Sequence, residues 1–142
     1  MFFSPFYEFF ENQLGFYDNR YSFVFKTLFN NFGYNDMGFT LFLIPLGLLA
    51  LFYFLYKYPY ANFWYWLVYI LIIALAVGGL TYNFVSLSIA EHLISADQEV
   101  ADFSNSLVLN YTLLNFCLSL VLSFLYSLVL QRFSKIQMHL PF

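Results

Sequence analysis

The amino-acid sequence predicts an all-α, polytopic integral membrane protein: three transmembrane helices preceded by amphipathic N-terminal helices. Two observations carry this expectation. Hydrophobic residues make up 62% of the 142-residue chain and charged residues only 9%, against roughly 45–50% and 25% in soluble domains. A globule of this size exposes more surface than so few charges can cover in water. The second observation is that three stretches contain no Asp, Glu, Lys or Arg: Gly38 to Tyr56, Tyr58 to Ala90, and Phe103 to Gln131. A helix of about 20 apolar residues crosses about 30 Å of hydrocarbon. None of the three stretches carries a polar face wide enough to meet water.

The expected spans are 38–57, 62–84 and 107–130, forming one three-helix transmembrane domain over 38–142 after an interfacial region over 1–37. In that N-terminal region, Ser4-Pro5 is a helix start and Gly15 a helix stop. Between them Phe2, Phe6, Phe9 and Phe10 line one side, and Glu8, Glu11 and Asn12 the other. A second helix follows Asp18-Asn19, with Tyr21, Val24, Phe25, Leu28 and Phe32 at helical spacing and Gly33 as its expected end. Both segments fit helices lying along the membrane surface or packed on neighbouring protein.

Tyrosines and tryptophans mark the first membrane border: Tyr53, Tyr56, Tyr58 and Tyr60, then Trp64, Tyr65 and Trp66. Lys57 to Ala61 is short enough to require a tight antiparallel hairpin. The second connection, 85–106, is acidic through Glu91, Asp97, Glu99 and Asp102, and reads as a short amphipathic helix. Ser104-Asn105-Ser106 is the expected cap of span three. Lys57, Arg132 and Lys135 gather on one side of the membrane, so the positive-inside bias places the C-terminus inside and the N-terminus outside. The opening residues lack the basic segment of a cleavable signal peptide, so the spans themselves are the expected insertion signals.

Charge and chemistry narrow the function. A net charge of −3 argues against nucleic acid, and against a peripheral protein held by anionic lipid. The expected partners are membrane lipid and other membrane subunits, homo- or hetero-oligomeric, with no nucleic acid and no small-molecule substrate. The spans carry none of the ionisable residues that mark proton relays or substrate sites inside a bilayer. The expectation is therefore a non-enzyme with no catalytic, cofactor-binding or metal-binding residues. Glu91, Ser95 and Glu99 would share a face of a continuous helix, but two carboxylates make a poor cation site. A solvated acidic loop is the expected reading. Cys117 reads as a small buried hydrophobe, and His139 as a residue without special chemistry.

The one patterned polar feature is a stripe on span three. Asn115, Ser119, Ser123 and Ser127 recur every four residues, with Tyr111 continuing the row. Small polar residues at this spacing let helices approach and hydrogen-bond across the contact. Ala74 and Gly78 on span two offer a matching small-residue face, within the subunit or on a neighbour. Serines bonding their own helix carbonyls are the competing explanation. The expected function is a structural, assembly or anchoring subunit of a larger membrane complex, for example a bacterial envelope-spanning secretion or injection machine. One alternative is a small oligomeric channel or holin-like pore former, with the stripe lining the pore. Another is an organelle-encoded accessory subunit of a respiratory complex. The corresponding locations are the bacterial or the mitochondrial inner membrane.

Overall fold

Three long antiparallel helices form the frame, and the N-terminal helices dock against one end of it. The structure, a computed structural model, describes residues 2–55 and 62–133. In chain order the elements are α1 (Ser4–Leu14), a 3-10 turn (Asn19–Tyr21), α2 (Ser22–Asn30), α3 (Gly33–Leu55), α4 (Phe63–Ser88), α5 (Ala90–Leu93) and α6 (Gln98–Phe133). No strand occurs among the described residues. The hairpin at Lys57–Ala61 and the tail with Lys135 and His139 lie outside the described residues.

α3, α4 and α6 are each long and apolar enough to cross a membrane. At 1.5 Å per residue, α3 and α4 measure about 35 and 39 Å, close to a bilayer's hydrocarbon thickness. α6, with 36 residues, reaches about 54 Å and so overshoots the hydrocarbon by roughly 20 Å. The excess lies on the N-terminal side, where α5 packs beside it and Phe25 of α2 meets Phe103.

Helix boundaries differ from the sequence expectation in instructive ways. α6 starts at Gln98, not near residue 107. Its first turn is capped by Asp97, whose Oδ1 accepts the Glu99 N–H at 3.1 Å. Ser104 to Ser106 lie inside the helix, and the Ser106 hydroxyl donates to the Asp102 carbonyl at 3.0 Å. The physical reason is that the buried face of α6 continues upward through the acidic stretch: Ala101, Ser104, Leu107, Val108 and Tyr111 are all buried at three- and four-residue spacing. Gly33 does not end α2. That helix stops at Asn30, Phe32 takes the left-handed conformation (φ 60°), and Gly33 opens α3. A side chain at Gly33 would collide with Leu28 and crowd the Ser88 hydroxyl, so the bend between α2 and α3 needs glycine there.

α1 departs furthest from its expected amphipathic face. Gly15 does terminate it, in the left-handed conformation (φ 71°) with its N–H bonded to the Glu11 carbonyl. The buried residues, however, are Ser4, Tyr7 and Glu11, while Phe2 is 82% exposed and Phe9 is exposed as well. Phe6 and Phe10 do pack against the core, and Glu8 and Asn12 are exposed, but Ser4, Tyr7 and Glu11 point into the bundle while Phe9 points out. The chain start is pinned by Asn35 of α3, whose Oδ1 accepts the Phe2 N–H at 3.1 Å and the Phe3 N–H at 3.4 Å.

Two apolar clusters fill the interior. The one on the N-terminal side brings Val24 and Leu28 of α2 together with Met37, Val85, Leu107 and Val108. The other, toward the far end, joins Leu49 and Phe52 to Trp66, Ile73 and Val77. α3 runs through Pro45 as one helix, although a proline there forfeits the bond to the Leu41 carbonyl. Cys117, expected to be buried, is exposed on the outer surface of α6, because it lies off the inward-facing Tyr111–Asn115–Ser119 row.

Candidate functional site

The most concentrated polar chemistry of the described residues lies beneath α1, where four helices meet. Asn115, midway along α6, is fully buried and bonds to three neighbours. Its Oδ1 accepts the Tyr7 hydroxyl of α1 at 2.9 Å. Its Nδ2 donates to Thr81 Oγ1 of α4 at 2.9 Å and, at 3.4 Å, to the Met37 carbonyl of α3. A primary amide has two donors and an acceptor, so one side chain ties α1, α3 and α4 to α6.

One turn closer to the N-terminal side sits Glu11, only 3% exposed. The Tyr34 hydroxyl donates to its Oε1 at 2.6 Å, the Tyr111 hydroxyl donates to the same oxygen, and the two phenols lie 3.5 Å apart. Burial raises the Glu11 carboxyl above the ordinary glutamate range; the two tyrosine bonds pull it back, and nearby Glu8 pushes it further up. Burial likewise raises the Tyr7 phenol, with the Asn115 bond opposing. The depth of these groups follows from helix length. Counting about 20 residues back from Leu55 reaches the region of Asp36, so Tyr34 and Glu11 stand at the level of the lipid headgroups. Asn115 lies roughly one turn deeper.

This network was only half visible in the sequence. The stripe on α6 points inward along its whole length: Asn115, Ser119, Ser123 and Ser127 are all fully buried. They do not behave alike. Ser119 donates to its own helix at the Phe116 carbonyl, 2.8 Å away. Ser127 accepts the Trp66 indole N–H from α4 at 3.0 Å. The Ser123 hydroxyl has no hydrogen-bond partner among the described residues. Ala74 is fully buried and Gly78 is buried against α6, with Phe116 and Thr112 at ordinary van der Waals distance from the position a Cβ would take. The small-residue faces of α4 and α6 are thus occupied by contacts within a single chain.

Tyr7, Tyr34 and Thr81 carry no expectation from the sequence, and Glu11 is expected only on the polar side of α1. The available signal was the Ser4, Tyr7, Glu11 row at i, i+3 and i+7 of a phenylalanine-rich helix, a polar stripe equivalent to the one on α6. Of the acidic loop, Glu91 is exposed and stands 3.6 Å from the His92 ring. Residues 94–97 separate α5 from α6, so Glu91, Ser95 and Glu99 do not share a helical face. Among the described residues no group of three or more His, Cys, Asp or Glu gathers as a metal site. His92 instead meets Thr27 Oγ1 at 2.9 Å, and Asn31 Nδ2 donates to the Ser88 carbonyl at 2.6 Å. These bonds fasten α2 to the α4–α5 corner.

Chemically the arrangement is a clamp. Each bond of Asn115 and each phenol on Glu11 spans two helices, in surroundings where an unpaired polar group is costly. No family model matches the chain, and no curated protein or solved structure matches it.

Proposed function

We propose that this three-span membrane protein is a non-enzymatic structural or anchoring subunit of a larger membrane complex. The observation that carries the reading is apolar surface left bare outside the membrane-crossing length. On the N-terminal side Ile94 is 86% and Leu87 74% exposed, and Phe23, Phe29 and Phe32 are exposed with them. Apolar side chains on the spans have lipid to cover them. Those on the projecting layer need protein or headgroup contacts, and large uncovered apolar surfaces are uncommon on free-standing proteins. The inward-facing stripe also favours a scaffold over the pore-forming alternative, because it is consumed inside each chain and is not free to line a channel between copies. By the positive-inside bias the projecting layer faces outward, into the periplasm of a bacterial inner membrane or the intermembrane space of a mitochondrion.

The test is extraction from native membranes in a mild detergent, followed by size analysis and mass spectrometry of what accompanies the chain. Stoichiometric membrane subunits are the expected result. A monodisperse monomer would refute the proposal, and leakage of ions from vesicles containing the purified chain would transfer support to the pore.

A further inference from the structure

Beside the clamp, on the N-terminal side, lies a cavity of about 340 Å³. Its floor is formed by the buried Glu11, Phe25 and Tyr34. Its mouth is framed by Glu8, Asn12, Tyr17 and Phe29, all exposed. Two features mark it as more than a gap between helices. Both phenols that reach Glu11 use Oε1, and Oε2 accepts no hydrogen bond from any described residue although the side chain is 3% exposed. That oxygen is not sealed from solvent, so it offers the cavity an acceptor that no neighbouring helix uses. The remaining walls are aromatic, with the Tyr17 and Phe25 rings 5.0 Å apart.

No cationic side chain lines the cavity. Arg20 is held by Asp18 at 3.1 Å, and Lys26 is exposed outside the lining. All eight carboxylates of the chain belong to the same side of the membrane, so the local field favours a positive ligand. A divalent metal is a poor fit, since calcium or magnesium needs six or more oxygen ligands and the lining supplies two carboxylates and one amide. Ring faces combined with carboxylates suit an organic cation, which gains charge pairing and cation–π attraction together.

We propose that this cavity binds a primary alkylammonium group, with Glu11 and Glu8 as its counter-charges and Tyr17, Phe25 and Phe29 as its walls. At headgroup depth the ammonium has two available sources, a free amine or the head of an aminophospholipid. The site is independent of whether the chain belongs to a complex.

The test uses the full-length chain in detergent micelles, titrated with ethanolamine and, separately, reconstituted in nanodiscs of phosphatidylethanolamine or phosphatidylglycerol. Saturable ethanolamine binding, seen by ligand-observed NMR at constant ionic strength, identifies a site open to free amines. Lipid that stays bound in native mass spectrometry only from the phosphatidylethanolamine discs identifies a headgroup site. In either case Glu8→Gln and Phe29→Leu, both at the exposed mouth and making none of the clamp's hydrogen bonds, are expected to weaken binding roughly tenfold each, which is about 1.4 kcal/mol. Glu11→Gln should weaken it at least as much. The proposal is overturned if neither source binds saturably, if binding survives Glu8→Gln and Phe29→Leu unchanged, or if calcium competes at equal concentration.

Discussion

Asn115 is the residue on which the docking of α1 depends, and removing its amide gives a prediction that can be worked through. Asn115→Ala deletes two bonds of 2.9 Å and one of 3.4 Å. Hydrogen bonds between membrane helices average about 0.6 kcal/mol and reach about 1.7, so the three bonds alone contribute roughly 2–5 kcal/mol. The Tyr7 hydroxyl, fully buried, then has no acceptor, which adds about 1–3 kcal/mol. Tyr7→Phe by itself removes one bond and spares the other two, for a loss of about 0.6–1.7 kcal/mol. The double variant should be less destabilised than the sum of the singles, because both singles lose the shared Tyr7–Asn115 bond and the double leaves no hydroxyl unpaired. A coupling of about 0.6–2 kcal/mol is expected. Unfolding in mixed micelles by increasing sodium dodecyl sulfate, followed through the two tryptophans, measures all four corners of the cycle. A coupling below about 0.3 kcal/mol is what non-contacting residues give, and would mean that Tyr7 does not bond Asn115 in the folded protein.

Three further perturbations test the same architecture. Glu11 has a raised carboxyl in the folded state, so the folded form holds its proton more tightly than the unfolded form does. Its contribution is complete below the ordinary glutamate value near 4.5 and declines as pH rises through the folded value, by at most about 1.4 kcal/mol per pH unit. The groups facing it are Glu8, Tyr7, Tyr34 and Tyr111, and phenols titrate only near about 10; Glu11→Gln should therefore flatten proteolytic release of α1 between pH 4 and 8, and an unchanged profile would remove Glu11 as its source. At the glycines the expected effects have opposite sign. Gly38→Ala drives a methyl into the Phe3 ring and should destabilise by about 1–3 kcal/mol, whereas Gly78→Ala meets its neighbours at 3.7–3.8 Å and should be neutral or stabilising by up to about 1 kcal/mol; equal denaturation midpoints would contradict the packing of α1 on α3. Ser123→Leu enlarges a fully buried position and should cost about 1–3 kcal/mol in the isolated chain. Loss of assembly with unaltered monomer stability would instead give the stripe an intersubunit role.

What could be read from the sequence depends on which solvent each element meets. The three spans are legible because hydrocarbon excludes charge over a fixed thickness, and the charge-free stretches follow directly from that. The inward row on α6 is legible because small and polar residues every four positions are conspicuous among leucines and phenylalanines. α1 is misread because hydrophobicity separates inside from outside only when the outside is water. At headgroup level Phe9 can face outward while Phe6 and Phe10 pack on the core and Tyr7 and Glu11 find partners in a polar groove between α3 and α6. Recognising that groove requires knowing that Tyr34, Tyr111 and Asn115 stand side by side, which no local pattern reveals. The start of α6 was misplaced for a related reason. Acidic residues at 97, 99 and 102 suggest a loop, yet Asp97 caps a helix and Glu99 and Asp102 occupy its outer side, while its inner face continues through Ala101 and Ser104.

The bonds that seat α1 span 108 residues from Tyr7 to Asn115 and 100 from Glu11 to Tyr111. During synthesis the first helix therefore emerges long before its acceptor exists. At ribosomal speeds of about 5–20 residues per second, the delay is roughly 5–20 s. Throughout that interval Tyr7 lacks its Asn115 acceptor and Glu11 has only Tyr34 for a donor, while the first two spans enter the lipid. Seating of α1 is accordingly completed late: a helix made before the spans waits for the last of them, and a chain arrested before Tyr111 leaves it held by α3 alone.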